Sequence, residues 1–284
     1  MASNKGFLRD GLWIKRTQSV YTPAQVSRWL SKIQYPGSVS GFQPDLDSLT
    51  HLLRLSAATF PFENTPMHYT PGHSMDISAE GLYERMVEGG GGEGSYCFGL
   101  NSLFLQMIRA LGFRAYATAG RINRETSWHL EPAFLSVGHM IIFVQPTEGS
   151  NETYVLDVGY GPVRPILLEE GAKIMGATPS ETYTLVRTAR ADSSLGETFA
   201  ARRTELYYLF QNHLQTLGSP QKSNGDSYAA IHTKTLRSLQ SLGSCIPSSR
   251  TNSSKPISTA STIASWAGAR GRSGRTLSAP STFG

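Results

Sequence analysis

A single cysteine lies where a glycine-rich stretch changes into an apolar, helix-like pattern. The segment EGGGGEGSYCFGLNSLFLQMIRALGF runs from Glu88 to Phe113, and its apolar residues recur at helical spacing from Leu100 onwards. Cys97 therefore lies at or just before the first turn of a predicted helix. Unpaired N–H groups and the helix dipole favour negative charge there, which promotes the thiolate, the nucleophilic form of cysteine. A buried cysteine that only packs is the alternative that this position leaves open.

A histidine and an aspartate occupy the ends of two predicted strands. His139 opens the segment HMIIFVQ, and Asp157 closes TYVLD just before a glycine-containing turn. A thiol needs a base to take its proton, and a carboxylate on the second ring nitrogen fixes the orientation of an imidazole. Cys97, His139 and Asp157 would form a catalytic triad if the fold brings them together. Spacing alone does not decide this, because the chain has seven histidines and many acidic residues.

The elements that must position these residues divide into a helical part and a strand-rich part. TPAQVSRWLSKI, DLDSLTHLLRLSAATFPFEN and SAEGLYERMVEGG have apolar residues at helical spacing, with Thr22 and Ser78 as N-caps. After the cysteine helix, FRAYATAGRI, HMIIFVQ, ETYVLDVGYG and ETYTLVRT are short, β-rich and bounded by turn residues. Helices followed by strands predict an α+β chain, not a βαβ repeat. Residues from about 201 to 217 fit a helix or a strand pair.

The composition excludes several classes of function. A chain of 284 residues with 39% hydrophobic and 17% charged residues is globular. The net charge of +5 comes from residues 219–284, which carry eight Lys or Arg and one Asp, so the rest of the chain offers no nucleic-acid platform. Two cysteines make neither a disulfide framework nor a zinc site. We find no signal peptide or membrane-spanning stretch, and expect a cytoplasmic protein without a metal.

Four segments, in the same order, resemble the arylamine N-acetyltransferase family. FPFENTPMHY (60–69) is similar to its Pro-Phe-Glu-Asn segment, and GSYCFGLN (94–101) resembles its nucleophile motif. VGHMIIFV (137–144) resembles its histidine strand, and YVLDVGYGPVRPILL (154–168) its Asp-Val-Gly segment. The Gly-Pro-x-Arg-Pro continuation looks most like the fungal branch. In the first segment we expect Phe62 in the core. For Glu63 and Asn64 we favour buried hydrogen-bonding groups that support the cleft over a direct part in catalysis.

The resemblance implies a helical domain, a β-barrel domain and a C-terminal α/β lid around a papain- or transglutaminase-like cysteine core. For this chain it places the helical domain at 1–90 and the nucleophile helix with the β-barrel at 91–195. A truncated or degenerate lid follows at 196–240, and a basic, Ser/Thr-rich tail, expected to be disordered, at 241–284. The resemblance assigns Cys97 as the nucleophile, His139 as the base and Asp157 as the orienting carboxylate.

The implied reaction is ping-pong acyl transfer from an acyl-CoA, through a thioester on Cys97, to an arylamine, arylhydrazine or N-hydroxyarylamine, as in xenobiotic detoxification. Acetyl-CoA is the family's usual donor. Some fungal relatives use malonyl-CoA, for which Arg121 or Arg164 could supply a cation near the acyl pocket. No metal, nucleic acid or membrane is implied, and the sequence does not indicate an oligomeric state.

Two positions of the nucleophile motif depart from the family pattern. Glu93 stands where an arginine is expected, and Gly99 replaces a glutamate. If the two normally pair, their joint loss strands no buried partner, so we expect a softened loop and reduced activity. A Glu93→Arg/Gly99→Glu variant would then turn over faster. Two alternatives stay open: a thiol hydrolase or transglutaminase-like enzyme with the same triad, and a catalytically impaired relative that only binds ligands.

Overall fold

The computed structural model describes residues 6–89, 93–122, 135–159, 162–175, 181–189, 206–214 and 227–232. The predicted tail at 241–284 lies outside these ranges. Of the predicted lid at 196–240, the two ranges 206–214 and 227–232 are described, both as strands. The division of the chain into separate domains therefore stays a prediction.

Helices dominate the first 110 residues. The described ones are α1 (Pro23–Lys32), α2 (Leu46–Thr59), α3 (Pro66–Tyr69), α4 (Ala79–Tyr83) and α5 (Cys97–Ala110), with a 3-10 turn at Arg9–Gly11 and a π turn at Glu84–Glu88 after α4. Both predicted N-caps are confirmed, because the side chains of Thr22 and Ser78 accept backbone N–H groups of the first turn. In the part of the chain that the structure describes, no helix is long and apolar enough to cross a bilayer.

α5 is the helix around which the helical part packs. One hydrophobic core joins its buried face to α1, α2 and α4, through Leu100, Leu103, Phe104, Met107 and Ile108 of α5 and Trp29, Leu30, Leu49, Leu52, Leu53 and Leu82 of the other helices. The ring of Trp29 lies edge-on to Phe104, with 6.2 Å between centroids. This packing fixes the axis of α5, and with it the position of the helix N-terminus.

The eight strands that the structure describes form one sheet. They are β1 (Arg114–Ile122), β2 (His139–Gln145), β3 (Tyr154–Leu156), β4 (Ile166–Leu167), β5 (Lys173–Met175), β6 (Glu181–Ala189), β7 (Leu206–Leu214) and β8 (Ser227–His232). The order across the sheet is β4-β3-β2-β1-β8-β7-β6-β5, with antiparallel neighbours. The four predicted strands are confirmed as β1, β2, β3 and β6. β7 resolves the ambiguous segment in favour of a strand.

The sheet is open, which corrects the expectation of a closed β-barrel. β4 and β5 are its edge strands, and no ladder joins them within the described ranges. Only residues 168–172 connect the two strands along the chain, so the sheet must curl and bring its edges near each other. Backbone N–H groups of this connection do not pair β4 with β5. Leu168 N donates to Thr153 O, next to β3, and Gly171 N donates to Leu185 O of β6. The mixed helix-and-strand class is confirmed.

β2 is the fully buried strand of the sheet among those described in full. All its residues are buried, because strands flank it on both sides and apolar cores cover both faces. Met140, Ile142 and Val144 face the helical core, whereas Ile141 and Phe143 face a second core within the sheet. A strand held in this way gives its first residue, His139, a fixed position.

Candidate active site

Cys97 is the first residue of α5. Its N-cap, Tyr96, has an extended backbone and no capping side-chain hydrogen bond, so no cap occupies the N–H groups of the first turn. The thiol is free and buried, with 8% of the residue exposed, and its sulfur lies 3.9 Å from the carbonyl oxygen of Gly138. The positive end of the helix and a strand start thus meet at the sulfur.

His139 and Asp157 form a buried pair beside this thiol. Asp157 directly follows β3, and the β2–β3 register places it on the same sheet face as His139, the face of Phe143 and Val155. His139 Nε2 lies 2.5 Å from Asp157 Oδ2, and the two side chains are 1% and 10% exposed. A carboxylate in this position fixes the ring orientation.

The surroundings of His139 favour its charged form. Burial alone disfavours the imidazolium, but the charge and hydrogen bond of Asp157, together with the hydrogen bond and charge of Cys97, outweigh it and raise the pKa of His139 to about 10. Because Nε2 faces Asp157, the other nitrogen, Nδ1, is the one suited to exchange a proton with the thiol. The structure therefore brings together the three residues that the sequence singled out.

Asn101, one helical turn after Cys97, is a further residue of the site, to which the sequence patterns give no role. Its fully buried side chain donates from Nδ2 to Met140 O at 2.7 Å and to Asp157 Oδ1 at 2.9 Å, and its Oδ1 accepts from Val158 N at 3.1 Å. Asn101 thus joins the nucleophile helix to β2 and to the turn after β3. The only signal in the sequence was a polar residue on the apolar helix pattern, four positions after the cysteine.

The turn after β3 packs directly against the nucleophile. Gly159 N donates to Asp157 Oδ1 at 2.8 Å, so the aspartate accepts from the backbone, from Asn101 and from His139. A Cβ at Gly159 would lie 2.8 Å from Cys97 Cα and 3.1 Å from Asn101 Nδ2. This close approach leaves room for glycine alone at position 159.

The loop before Cys97 is supported by backbone, not by the side chains that we expected. Phe62 and Ser95 form a parallel β-bridge, with Glu63 N donating to Ser95 O at 3.1 Å and Ser95 N to Pro61 O at 3.3 Å. Phe62 is 57% exposed, Asn64 is exposed and Glu63 is only partly covered, so the prediction of buried side chains here is wrong. The bridge pairs backbone groups of the two segments, so their contact does not depend on burying these side chains.

The two arginines considered for a malonyl donor lie on β1 and on the segment that follows Asp157. Arg121 follows Gly120, which pairs with His139 in the β1–β2 register, and side chains of successive strand residues point to opposite faces. Arg164 lies in the segment between Asp157 and β4. A cationic acyl pocket built from Arg121 or Arg164 stays a prediction.

Known proteins match part of this chain. The N-acetyltransferase family model matches residues 45–228. Human arylamine N-acetyltransferase 1 is 28% identical over 138 residues, which are 48% of this chain and 43% of the relative. The N-malonyltransferase FDB2 of Fusarium pseudograminearum (strain CS3096) is 26% identical over 189 residues, which are 59% and 53% of the two chains. The chain thus spans about half the length of the curated relatives it matches.

A solved structure matches the fold as well. Mycobacterium marinum arylamine N-acetyltransferase in complex with CoA aligns with a TM-score of 0.53 and 25% identity, over 79% of this chain and 73% of that one. The family model itself covers well over half of the 284 residues. The chain therefore belongs to the N-acetyltransferase family, the family of the arylamine N-acetyltransferases that it resembles.

Proposed function

We propose that the protein transfers a short acyl group from an acyl-CoA to an aromatic amine through a thioester on Cys97. The observation that supports this most directly is the buried contact of His139 with Asp157 beside the free thiol at a helix start. Family membership supports the reaction class, and the matched CoA complex supports the choice of donor. The catalytic roles of the three residues are part of the proposal.

The resting state in this proposal is a thiolate–imidazolium pair. The raised pKa of His139 keeps a proton on its ring at neutral pH, and that proton is the one that Cys97 gives up. Asp157 accepts from Nε2 and leaves Nδ1 directed to the sulfur. The first-turn N–H groups of α5, which no side chain caps, add to the stabilisation of negative charge there.

The first half-reaction loads the enzyme. The Cys97 thiolate attacks the carbonyl carbon of the acyl-CoA thioester, a bond forms between Sγ and that carbon, and the bond to the CoA sulfur breaks. The imidazolium of His139 then gives its proton to the departing CoA thiolate. Backbone N–H groups at the start of α5 are suited to hold the oxyanion of the tetrahedral intermediate. One thioester replaces another, so the acyl group keeps its reactivity.

The second half-reaction delivers the acyl group to the amine. The amine nitrogen attacks the carbonyl carbon of the Cys97 thioester, and neutral His139 takes a proton from that nitrogen. The bond between carbon and Sγ breaks, which restores the thiolate–imidazolium pair and releases the amide. Acetyl-CoA is our first choice of donor, and malonyl-CoA is the alternative suggested by the fungal relative.

Intact-mass measurement tests the proposal and ranks the donors together. The protein is mixed with acetyl-, propionyl- or malonyl-CoA, with and without an arylamine. We expect the mass of one acyl group to appear on the wild type, to be absent from Cys97→Ser and to disappear when the amine is added. If no donor loads the wild type, the transferase proposal fails, and the impaired ligand-binding relative becomes the better interpretation.

The same samples separate transfer from hydrolysis. If an aromatic amine accelerates the release of CoA, the result supports transfer, because the Cys97 thioester then reacts with the amine and not with water. Turnover that proceeds equally well without the amine supports the thiol hydrolase alternative, in which water takes the place of the amine. Amide product, identified by mass, must account for the CoA released.

A further inference from the structure

Arg85 connects a rigid turn to the loop that precedes the nucleophile. Its guanidinium donates from Nε to Gly94 O at 3.3 Å and from Nη1 to Asp76 O at 2.9 Å. Gly94 lies three residues before Cys97, and Asp76 lies before α4. A single planar group thus joins the nucleophile loop to the segment that enters the neighbouring helix.

The backbone of Arg85 is fixed by the packing of the turn to which it belongs. Arg85 belongs to the π turn Glu84–Glu88, whose next two residues, Met86 and Val87, are buried in the helical core. A Cβ at Gly89 would lie 2.3 Å from Arg85 O, so the turn ends in a close backbone contact. π turns are rare and often occur at functional sites.

The loop needs such an anchor because of its sequence. Four consecutive glycines, from Gly89 to Gly92, precede it, and glycine loses more backbone freedom on ordering than any other residue. Gly94 and Ser95 are held on one side by Pro61, whose oxygen would lie 1.9 Å from a Cβ at Gly94. Glu93, where the resemblance led us to expect an arginine, is exposed. The Arg85 guanidinium holds Gly94 from another element.

The charge of Arg85 affects the pKa values of Glu63 and Tyr96. Hydrogen bonds from Thr65 lower the pKa of Glu63, and the charge of Arg85 adds to that effect. Burial raises the pKa of Tyr96, the neighbour of the nucleophile, and the charge of Arg85 opposes it. The guanidinium therefore bonds to Gly94, and Glu63 and Tyr96 lie within range of its charge.

We propose that Arg85 is a positioning residue for the nucleophile, which it serves by holding the Gly94 carbonyl and so fixing the start of α5. The inference deepens the proposed function and rests on it for its catalytic meaning. The proposed role requires that one side chain bonds to two carbonyl groups, those of Gly94 and Asp76. A guanidinium does so with two separate N–H groups. Lysine keeps the positive charge but presents one ammonium group, which cannot reproduce this planar arrangement.

Alkylation of Cys97 by iodoacetamide, followed from pH 5 to 9 by peptide-resolved mass spectrometry, tests the proposal. We compare the wild type with Arg85→Met and Arg85→Lys below their unfolding temperatures. We expect the plateau rate of both variants to fall about tenfold or more, since small misplacements of a reacting group have effects of that size. The midpoint of the pH profile should stay in place. Faster amide exchange at Ser95 should accompany the loss.

Arg28→Met is the matched control. Arg28 of α1 bonds through Nη1 to Glu88 Oε1, at 2.6 Å, in the same π turn. No hydrogen bond described for Arg28 reaches residues 93–96, the described part of the loop before Cys97. We expect this variant to alkylate at the wild-type rate. It reports what the loss of an arginine contact to the π turn does by itself.

Three results would overturn the inference: a wild-type plateau in Arg85→Met, full recovery by Arg85→Lys, or a moved midpoint with an unchanged plateau. The second and third would assign the effect to charge, not to position. Alkylation needs neither acyl-CoA nor amine, so the test remains decisive if the wild type fails to transfer acyl groups. Acyl loading of the same variants then shows whether the effect extends to the proposed reaction.

Discussion

The Asn101 amide and the Asp157 carboxylate share a buried hydrogen bond, with Nδ2 2.9 Å from Oδ1. Asn101 lies on the helix that begins with Cys97, and Asp157 holds His139. The bond therefore connects α5, which begins with Cys97, to the His139–Asp157 pair. A residue outside the proposed catalytic triad thus links the elements that carry its members.

Replacing Asn101 should destabilise the protein and disturb the site together. Asn101→Ala removes three buried hydrogen bonds and leaves Met140 O and Val158 N without this partner, so we expect a loss of about 3 kcal/mol in the free energy of unfolding. Asn101→Asp should cost more, because it sets a second carboxylate against Asp157. Urea unfolding measures both. Asn151→Ala, which loses an exposed bond to Gly11 O, is the control; an equal loss there would refute the role of Asn101.

Stability should fall as the pH rises from about 8.5 to about 10. Below the ordinary His pKa of 6.5, the folded and unfolded chains both hold the His139 proton, and the stabilisation is complete. Above 6.5 only the folded state holds this proton. In the proposed resting state, however, the proton comes from Cys97, so the folded and unfolded chains bind equal numbers of protons until an ordinary thiol also ionises in the unfolded chain, at about 8.5. From there to about 10 the contribution declines by up to about 1.4 kcal/mol per pH unit and then is gone. Urea unfolding at a series of pH values measures this slope.

His139→Gln isolates this contribution, since glutamine can still donate toward Asp157 but does not titrate. We expect the stability difference between wild type and variant to shrink steadily across the alkaline range. His51→Gln, at an exposed position of α2, serves as the control and should leave the wild-type slope intact. A slope that survives in His139→Gln would assign the pH dependence to another group.

Gly159→Ala should impair the site through a steric contact. Its Cβ would meet Cys97 Cα at 2.8 Å and Cys97 Cβ at 3.0 Å, so either the turn after β3 or the start of α5 must move. We expect a destabilisation of about 1–3 kcal/mol and slower acyl loading, measured by thermal unfolding and intact mass. Gly72→Ala is the control, because that Cβ meets only the exposed Ser74 hydroxyl. Equal behaviour of the two variants would contradict the contact.

Gly99→Glu should damage the protein, which reverses the expectation drawn from the family pattern. A Cβ at Gly99 would lie 2.0 Å from Ser95 Oγ and 2.8 Å from Leu82 Cδ2, and both partners are buried. Glu93 is exposed, so Glu93→Arg alone should keep the wild-type stability. We expect the double variant to turn over more slowly than the wild type, by steady-state amide formation. Faster turnover would restore the original expectation.

Much of the fold could be predicted because its signals are local. Thr22 and Ser78 cap helices through contacts within the first turn, and the α5 pattern marks a buried face regardless of what covers it. The β2 run is buried on both faces and reads as a continuous apolar segment. The open sheet escaped prediction because the order of strands depends on pairings far apart in the chain. β1 pairs with β8, across more than one hundred residues.

The sequence by itself determined which groups could do chemistry: a cysteine at a helix start, a histidine at a strand start and an aspartate at a strand end. Only the tertiary structure decided that they meet, because the β2–β3 register and the packing of α5 on β2 set their separation. It also revealed the contacts of Asn101, Gly159 and Arg85, whose partners lie on other elements. Side-chain type is written in the chain, whereas a hydrogen-bond partner exists only once distant segments are brought into contact.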